Sequence, residues 1–340
     1  MRLAIRALVV ATLMQVACVQ TFRGAWSLET KHNILGSLLY QSTELFHAGA
    51  PPLDHARVRR VEGMLQRIMD DVVRRHETRR DRLATLVGRP LRAEAEVRVR
   101  LVQTGRPRAY IEVDGSMTLD VLVLAGLYRA TAVTGIPRQG LLNRGTLIDY
   151  AVLEGPDAAE REATLIKQLH AYLAAIRTSP GSCTIGDLAR GEGRFGGEAD
   201  ALAEVEEVYV GLIVFLFAHE LGHYVLQHPA VPAASSPESA AERLRVLQAQ
   251  ELEADRYAAT LLGDAYGSKW TFAKHERSTK RMTGAFELFM RGAHRLAGLG
   301  EAQPSVYPTW EVRKQAAVAA YDVAFTTRQT QIEQLKRKKK

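Results

Sequence analysis

The sequence VYVGLIVFLFAHELGHY, residues 208–224, joins a nearly uninterrupted apolar run to two closely spaced histidines. The run itself, residues 208–218, is too short to span a bilayer and predicts a helix that is buried on all sides. We expect this helix to cover residues 199–227. Because side chains four positions apart share one face of a helix, the imidazoles of His219 and His223 would face a common point.

This spacing of two histidines indicates a metal site. Neutral imidazole nitrogens bind Zn²⁺ at about 2.0–2.1 Å. Glu220 directly follows His219, so its carboxylate would lie beside the metal, where it can take a proton from an attacking water. The alternative is an incidental pair of core histidines, in which a buried Glu220 without a partner would be costly.

A zinc site that leaves one position for water needs a third protein ligand. The sequence ELEAD, residues 251–255, lies in a second helical pattern that starts near residue 237 and continues past residue 262. Glu251 and Asp255 share a face of that helix. We assign Glu251 to the metal, with Glu253 as the alternative, and Asp255 to the orientation of a ligand imidazole. A solvated acidic helix face is the competing interpretation.

The region before the long helix predicts a small sheet. Residues 54–77 repeat apolar side chains at three- and four-residue steps, as an amphipathic helix does. Residues 94–102 and 110–113 alternate polar and apolar side chains, which is typical of half-buried strands. The pair Asp114-Gly115 favours a hairpin turn into a further strand over residues 117–124. We therefore predict an α+β fold that is mainly helical, with a small antiparallel sheet covered by helices on one face.

Two further helices are expected, over residues 158–177 and after Pro308. Between them, Gly191, Gly193 and Gly196 have the spacing of a dinucleotide fingerprint, but the residues before them do not form an apolar strand. A flexible linker explains these glycines better. We therefore expect no bound nucleotide.

The N-terminus predicts a targeting segment. Arg2 and Arg6 supply positive charge, and residues 7–19 form a largely apolar run that is too short to span a bilayer. We expect residues 1–25 to be a signal peptide that directs the chain across the inner membrane, to the periplasm or envelope. Cys18 lies where a lipoprotein signal would be cleaved, so a form anchored by lipid on Cys18 is the alternative to a freely secreted one.

The chain contains only two cysteines, Cys18 and Cys183. If Cys18 leaves with the signal or carries lipid, Cys183 has no disulfide partner. Two cysteines also cannot build a thiolate zinc site, so any metal must rely on histidine and carboxylate ligands. We expect a single domain over residues 26–330, with a divergent insertion at about 125–198.

The positive charge of the chain is concentrated at its end. The formal net charge is +7, and residues 336–340 are all Lys or Arg. Residues 331–340 therefore form a basic tail, whose simplest interpretation is a solvated, disordered end. Contact with anionic lipid head groups at a membrane surface is the alternative. The tail lacks interleaved aromatic residues, so we expect no nucleic-acid partner.

Three motifs together resemble one known family. They are His219-Glu220-Leu221-Gly222-His223 with His228 five residues later, Glu251-x-x-Ala254-Asp255, and Tyr307-Pro308-Thr309 with Arg313. In this combination the sequence is similar to the zinc endopeptidases that include the CAAX prenyl protease and the heat-shock protease HtpX, metallopeptidase family forty-eight. The likeness covers roughly residues 54–124 and 199–320.

The resemblance implies a zincin-like (gluzincin) domain in which His219, His223 and Glu251 hold one zinc ion and an edge strand binds extended peptide. It also implies that Tyr307 and Arg313 contact the substrate or the oxyanion near zinc. This chain has Tyr307 where the family usually has histidine. A phenol can still donate a hydrogen bond to an oxyanion, and a packing role for Tyr307 is the alternative.

The function implied is a zinc-dependent metalloendopeptidase that hydrolyses polypeptide substrates in envelope protein quality control. The alternative function is a non-catalytic, zinc-stabilised envelope chaperone or scaffold, which would not need Glu220. His228 is expected to follow His223 on the same helix, about 140° further round. We therefore interpret His228 as structural rather than as a ligand.

Overall fold

The computed structural model describes residues 38–47, 56–93, 96–104, 108–135, 196–231, 235–267 and 308–338, together with the single positions 157, 160 and 163. Several expectations lie outside these residues: the signal peptide, both cysteines, the linker glycines before residue 196, and Tyr307. The helix expected over residues 158–177 also lies outside them, apart from positions 160 and 163.

Helices dominate the described part of the chain. In chain order they are α1 (Leu38–His47), α2 (Ala56–Glu77), α3 (Arg80–Val87), α4 (Val121–Gly135), α5 (Gly196–Val225), α6 (Pro237–Tyr266) and α7 (Trp310–Lys338). The strands β1 (Arg98–Val102), β2 (Ala109–Ile111) and β3 (Ser116–Asp120) form one small sheet. The protein is therefore mainly helical with a small sheet, as the sequence predicts.

The apolar middle of α5 is the centre of the core. Tyr209, Leu212, Ile213, Val214 and Phe217 have no exposed surface. Helices α1, α2, α4 and α6 and strand β2 all pack against α5. Because the helix is surrounded in this way, it needs no polar face over this stretch, which is why the sequence there is almost uniformly apolar.

Helix α2 forms where its periodicity predicts. Its apolar positions Val58, Val61, Leu65, Ile68 and Val72 are all buried. The polar residues between them face outward or toward the sheet. The predicted helix over residues 54–77 is thus confirmed to within a few residues.

The sheet is mixed, so the expectation of a wholly antiparallel sheet is wrong. β3 lies in the middle, with β1 parallel to it and β2 antiparallel to it. The turn at Asp114-Gly115 does join β2 to β3. Gly115 has a φ of +85°, and a Cβ there would lie 2.0 Å from the carbonyl oxygen of Glu96. β1 and β2 thus lie on opposite sides of β3, and the alternation of polar and apolar side chains cannot reveal that order.

Residues 121–124, expected to continue the strand, form the first turn of α4 instead. Asp120 ends β3, and its Oδ1 accepts a hydrogen bond from the Leu122 N–H at 2.8 Å, as in a helix N-cap. Its Oδ2 accepts from both the backbone N–H and the hydroxyl of Thr104, each at 2.6 Å. This buried carboxylate explains why the strand stops and a helix begins at that point.

The two edges of the sheet differ. Along β1, Gln66 of α2 accepts a hydrogen bond from the Val99 N–H and donates one to the Val97 carbonyl, each at 2.8 Å. Glu62 of α2 accepts from the Leu101 N–H at 2.8 Å. Helix α2 thus covers the backbone of the β1 edge, whereas β2 forms the other edge and packs against α5.

Helix α7 packs along α6 and continues through Lys338. Residues 331–338 are therefore helical, and the expectation of a disordered end is wrong for them. In the ranges given above, none of the helices combines the length and the apolar character needed to cross a membrane.

Candidate metal centre

The candidate centre forms where α5 and α6 pack against each other at Gly222. A Cβ on Gly222 would lie 3.0 Å from Cδ1 of Tyr257 and 3.2 Å from Cα of Ala254. This spacing leaves little room for any side chain between the helices. Glu251 precedes Ala254 by one helical turn, so the close contact brings Glu251 to the histidines of α5.

The three side chains that the sequence assigned to a metal come together in the structure. Nε2 of His219 and Nε2 of His223 are 3.2 Å apart. Glu251 places Oε2 3.3 Å from Nε2 of His219 and Oε1 3.5 Å from Nε2 of His223. Among the described residues, His219, His223 and Glu251 form a group that could hold a metal ion.

The spacing of these donor atoms fits a zinc ion. Four ligands at about 2.0–2.1 Å from zinc, arranged as a tetrahedron, lie about 3.3–3.4 Å from one another. The three contacts here measure 3.2, 3.3 and 3.5 Å, with Glu251 contributing a different oxygen to each of its two. Taken as one ligand atom per residue, the three donors lie within 4.8 Å of one another. Two imidazole nitrogens and a carboxylate are also a donor set that zinc accepts.

A buried ion pair lies behind His219. Oδ1 of Asp255 is 2.9 Å from Nδ1 of His219. Arg313, near the start of α7, donates to both oxygens of Asp255, from Nε to Oδ2 at 2.6 Å and from Nη2 to Oδ1 at 2.8 Å. The Arg313 and Asp255 side chains are only 3% and 1% exposed. Asp255 therefore stands where it can orient the imidazole of His219.

Arg313 lies behind the ligands, whereas the resemblance implied contact with the substrate or the oxyanion. Besides its two bonds to Asp255, its Nη2 is 3.6 Å from Oε2 of Glu251. These contacts make Arg313 a partner of the carboxylates of the centre. Tyr307 lies outside the described residues, so its expected contact with the substrate or the oxyanion stays a prediction.

The carboxylates give the centre a strong attraction for positive charge. Burial alone would lower the pKa of His219, but hydrogen bonds to Asp255 and Glu251 and their negative charge outweigh burial and raise that pKa to about 10. Burial alone would raise the pKa of Glu251, but hydrogen bonds from His219 and His223 outweigh it and hold that pKa below its usual range. The same negative charge would attract a metal cation, which displaces the proton of His219 when it binds.

Glu220 is buried next to the first histidine. Its residue surface is only 8% exposed. Burial, the largest cause, raises the pKa of Glu220 to about 8, although the positive charges of His219 and Arg313 act in the opposite direction. A carboxylate in such surroundings accepts a proton more readily than one in water. This is the property that a general base needs.

Glu253, the alternative ligand, lies outside this group. Its Oε2 is 3.0 Å from Nε2 of His228 and 2.7 Å from Nη1 of Arg89. Nδ1 of His228 is in turn 2.8 Å from Nδ1 of His223. His228 is not on the same helix as His223, because α5 ends at Val225. The sequence carries no signal for Arg89, which belongs to no motif and is 164 residues from Glu253.

Comparison with known proteins gives a family match over this part of the chain. Residues 187–332 match the model of the family Peptidase U49. That range includes both histidines, Glu220, the ELEAD segment and Arg313. No curated protein and no solved structure matches the chain. The matched family differs from the CAAX prenyl protease and HtpX family that the sequence resembles. The match nevertheless indicates a peptidase family, and with it a hydrolase that acts on polypeptides.

Proposed function

We propose that this protein is a zinc-dependent metalloendopeptidase whose metal is held by His219, His223 and Glu251. The proposal depends on one observation, the separation of the three donor pairs by 3.2, 3.3 and 3.5 Å. Three protein ligands leave a fourth position for water or substrate, as in catalytic zinc sites. The buried Glu220 on the same helix and the peptidase match over this region support a catalytic role.

In this proposal, Glu220 is the general base and then the general acid. When bound, zinc would supply Lewis-acid polarisation of the scissile carbonyl and of the attacking water. Glu220 accepts the proton of the water and passes it to the nitrogen of the leaving amine. Its burial raises its pKa above that of a carboxyl in water, so the ionised Glu220 is a stronger acceptor for the proton of the water.

Asp255 and Arg313 keep the first ligand in position. Asp255 engages Nδ1 of His219 at 2.9 Å, which leaves Nε2 for the metal. Arg313 holds Asp255 through two hydrogen bonds and offsets the negative charge of the neighbouring carboxylates. We retain Tyr307 as the donor to the oxyanion that the resemblance implies.

We propose that an extended polypeptide substrate binds along β2. Within the described sheet, β2 is the edge that α2 does not cover, and it packs against α5, the helix that carries the two histidines. The backbone of Tyr110 is directed toward its partner Thr118 on β3. The backbone N–H and C=O groups of Ala109 and Ile111 therefore point away from β3. Main-chain hydrogen bonds to such an edge give affinity with little dependence on side chains.

The same proposal includes a gluzincin-type fold and action in the cell envelope, in protein quality control. Arg2, Arg6 and the apolar run that follows support export of the chain. Lys336, Arg337 and Lys338 are exposed on the last turn of α7, which suits contact with anionic lipid head groups. After expression in a bacterium, we expect the protein in the envelope fraction with an N-terminus near residue 26. An unprocessed chain in the cytoplasm would contradict export.

The catalytic proposal is tested by cleavage of casein with and without a zinc chelator. We expect the chelator to stop cleavage and added zinc to restore it. Glu220→Gln should bind zinc normally and lose at least about 100-fold in rate. The matched control is Glu242→Gln, since Glu242 is an exposed residue of α6 that pairs with Arg245.

Two results would contradict the catalytic proposal. One is cleavage that the chelator does not affect, and the other is a fully active Glu220→Gln variant. A chain that binds zinc but cleaves nothing would instead favour the chaperone or scaffold.

A further inference from the structure

A line of hydrogen-bonding groups leads away from His223, on the side opposite the metal ligands. Nδ1 of His223 is 2.8 Å from Nδ1 of His228. Nε2 of His228 is 3.0 Å from Oε2 of Glu253, and that oxygen accepts a hydrogen bond from Nη1 of Arg89 at 2.7 Å. The side chain of His228 is only 6% exposed, whereas those of Glu253 and Arg89 are 40% and 42% exposed, so the line leads from the buried centre to the surface.

The backbone is bent to bring His228 back to His223. The His228 N–H donates to the His223 carbonyl at 3.1 Å, and the Gln227 N–H donates to the Tyr224 carbonyl at 3.2 Å. Together these bonds form a Schellman cap at the end of α5. Gln227 occupies the left-handed position with a φ of 55°, where glycine is usual. The chain therefore adopts an unfavourable conformation at the residue that directs His228 toward the centre.

Arg89 is fixed by the same turn. Its Nη2 donates to the Leu226 carbonyl at 3.0 Å, in addition to the bond from Nη1 to Glu253. Nearby, the Arg92 N–H donates to the Val225 carbonyl at 2.9 Å. Arg89 and Arg92, which follow α3, thus donate hydrogen bonds to the last carbonyls of α5, and Arg89 also binds Glu253.

The donors and acceptors along this line are consistent with a single arrangement of protons. If Nε2 of His223 binds a metal, Nδ1 of His223 carries the proton and donates it to Nδ1 of His228. His228 then carries its own proton on Nε2 and donates it to Glu253. Both nitrogens of His228 are used in this way, which excludes it as a further metal ligand in this arrangement.

We propose that His228 and Glu253 are positioning residues that hold the His223 ring, with its Nε2 lone pair directed to the metal. This arrangement parallels the one at His219, where Asp255 lies 2.9 Å from Nδ1 and is itself held by Arg313. The two ligand histidines would thus each be oriented by a separate carboxylate, directly for His219 and through a second imidazole for His223. The inference rests on the proposed zinc site.

The test is the zinc dissociation constant, measured by competition with a chromophoric chelator. His228→Leu removes the acceptor for His223, and we expect zinc affinity to fall by about 10- to 100-fold. His228→Asn keeps an oxygen near the place of Nδ1, and it should stay within about 3-fold of the wild type, since it still accepts the His223 proton. Glu253→Leu should weaken zinc binding by about 10-fold, whereas Glu242→Leu, on an exposed part of α6, should have no effect.

Unfolding of the metal-free variants separates positioning from general stability. The proposal requires that His228→Asn binds zinc nearly as tightly as the wild type. It also requires that Glu253→Leu binds zinc more weakly while the midpoint of its metal-free unfolding is unchanged. If His228→Leu does not fold, these two variants still decide the question. Wild-type affinity in Glu253→Leu, or an asparagine variant as weak as the leucine variant, would overturn the inference while the zinc site stands. A wild-type chain that binds no zinc would overturn both.

Discussion

Arg313 and Asp255 form a two-bond ion pair that joins α7 to α6 directly behind the candidate metal centre. The bonds measure 2.6 Å and 2.8 Å, and both side chains are almost fully buried. Because Asp255 also contacts His219, the last helix is connected to the first ligand. Loss of this pair should therefore affect both the stability of the fold and the binding of metal.

Replacement of Arg313 tests this connection. Arg313→Ala removes the two-bond partner of a buried carboxylate and leaves it only His219, so the free energy of unfolding should fall by about 3–5 kcal/mol. Arg313→Lys should lie between this variant and the wild type, because an ammonium group cannot form the two parallel bonds. Urea denaturation of the metal-free proteins measures the effect. The control is Val312→Ala, at a neighbouring position that is 46% exposed. Equal stability of Arg313→Ala and Val312→Ala would show that the ion pair does not support the fold.

Replacement of Gly222 tests the close contact between α5 and α6. In Gly222→Ala the new methyl group meets Tyr257 at 3.0 Å and Ala254 at 3.2 Å. The helices must shift, so we expect a loss of about 1–3 kcal/mol in the free energy of unfolding. Zinc should also bind more weakly, because Glu251 moves away from the histidines.

The matched control is Gly63→Ala in α2, where a Cβ would meet nothing within 4 Å. Since alanine is the better helix former at such an exposed site, this variant should gain about 0.5–1 kcal/mol. A Gly222→Ala protein as stable as the control, with unchanged zinc affinity, would refute the proposed role of the glycine.

The burial of His76 predicts that the stability of the fold depends on pH, independently of the metal centre. Its Nε2 donates to the Arg92 carbonyl, and its Nδ1 accepts from the Tyr257 hydroxyl, both at 2.9 Å. Burial is the main reason why the pKa of His76 lies below its usual value of 6.5. Below pH 6.5 the unfolded chain therefore binds a proton that the folded protein excludes. The stability contributed by neutral His76 is complete above that pH and is lost as the pH falls toward the folded-state pKa.

The variant His76→Gln can keep the bond to Arg92 but has no proton to gain. The free energy of unfolding of this variant should therefore change less with pH, by the part that His76 contributes. Near pH 7 the variant should be about 1–3 kcal/mol less stable, because Tyr257 loses its partner. Urea unfolding of both metal-free proteins at several pH values from about 5 to 8 measures this difference. Identical slopes would mean that His76 does not titrate differently in the two states.

The sequence predicts those features that depend on local spacing. The two histidines four residues apart, and Glu251 with Asp255 on one helical face, follow from helix periodicity, and the structure brings their side chains together. The order of the strands does not follow from the sequence, because polar and apolar side chains alternate in the same way in parallel and antiparallel pairs. The start of α4 was missed because the capping role of Asp120 depends on its burial.

Two contacts between distant segments could not be predicted from the sequence. Arg313 lies 58 residues from Asp255, and Arg89 lies 164 residues from Glu253. Neither pair leaves a periodic pattern in the chain. The position of His228 was missed for a different reason. A helix continued past Val225 would carry His228 away from His223, whereas the left-handed Gln227 reverses the chain.

The central claim is that His219, His223 and Glu251 hold one zinc ion, and metal analysis of the purified chain tests it most directly. We expect close to one zinc per wild-type chain after dialysis. His223→Ala and Glu251→Ala should retain almost none, while Glu242→Ala, an exposed glutamate on α6, should retain the wild-type amount. A wild-type chain without zinc, or full zinc content in the His223 and Glu251 variants, would contradict the account.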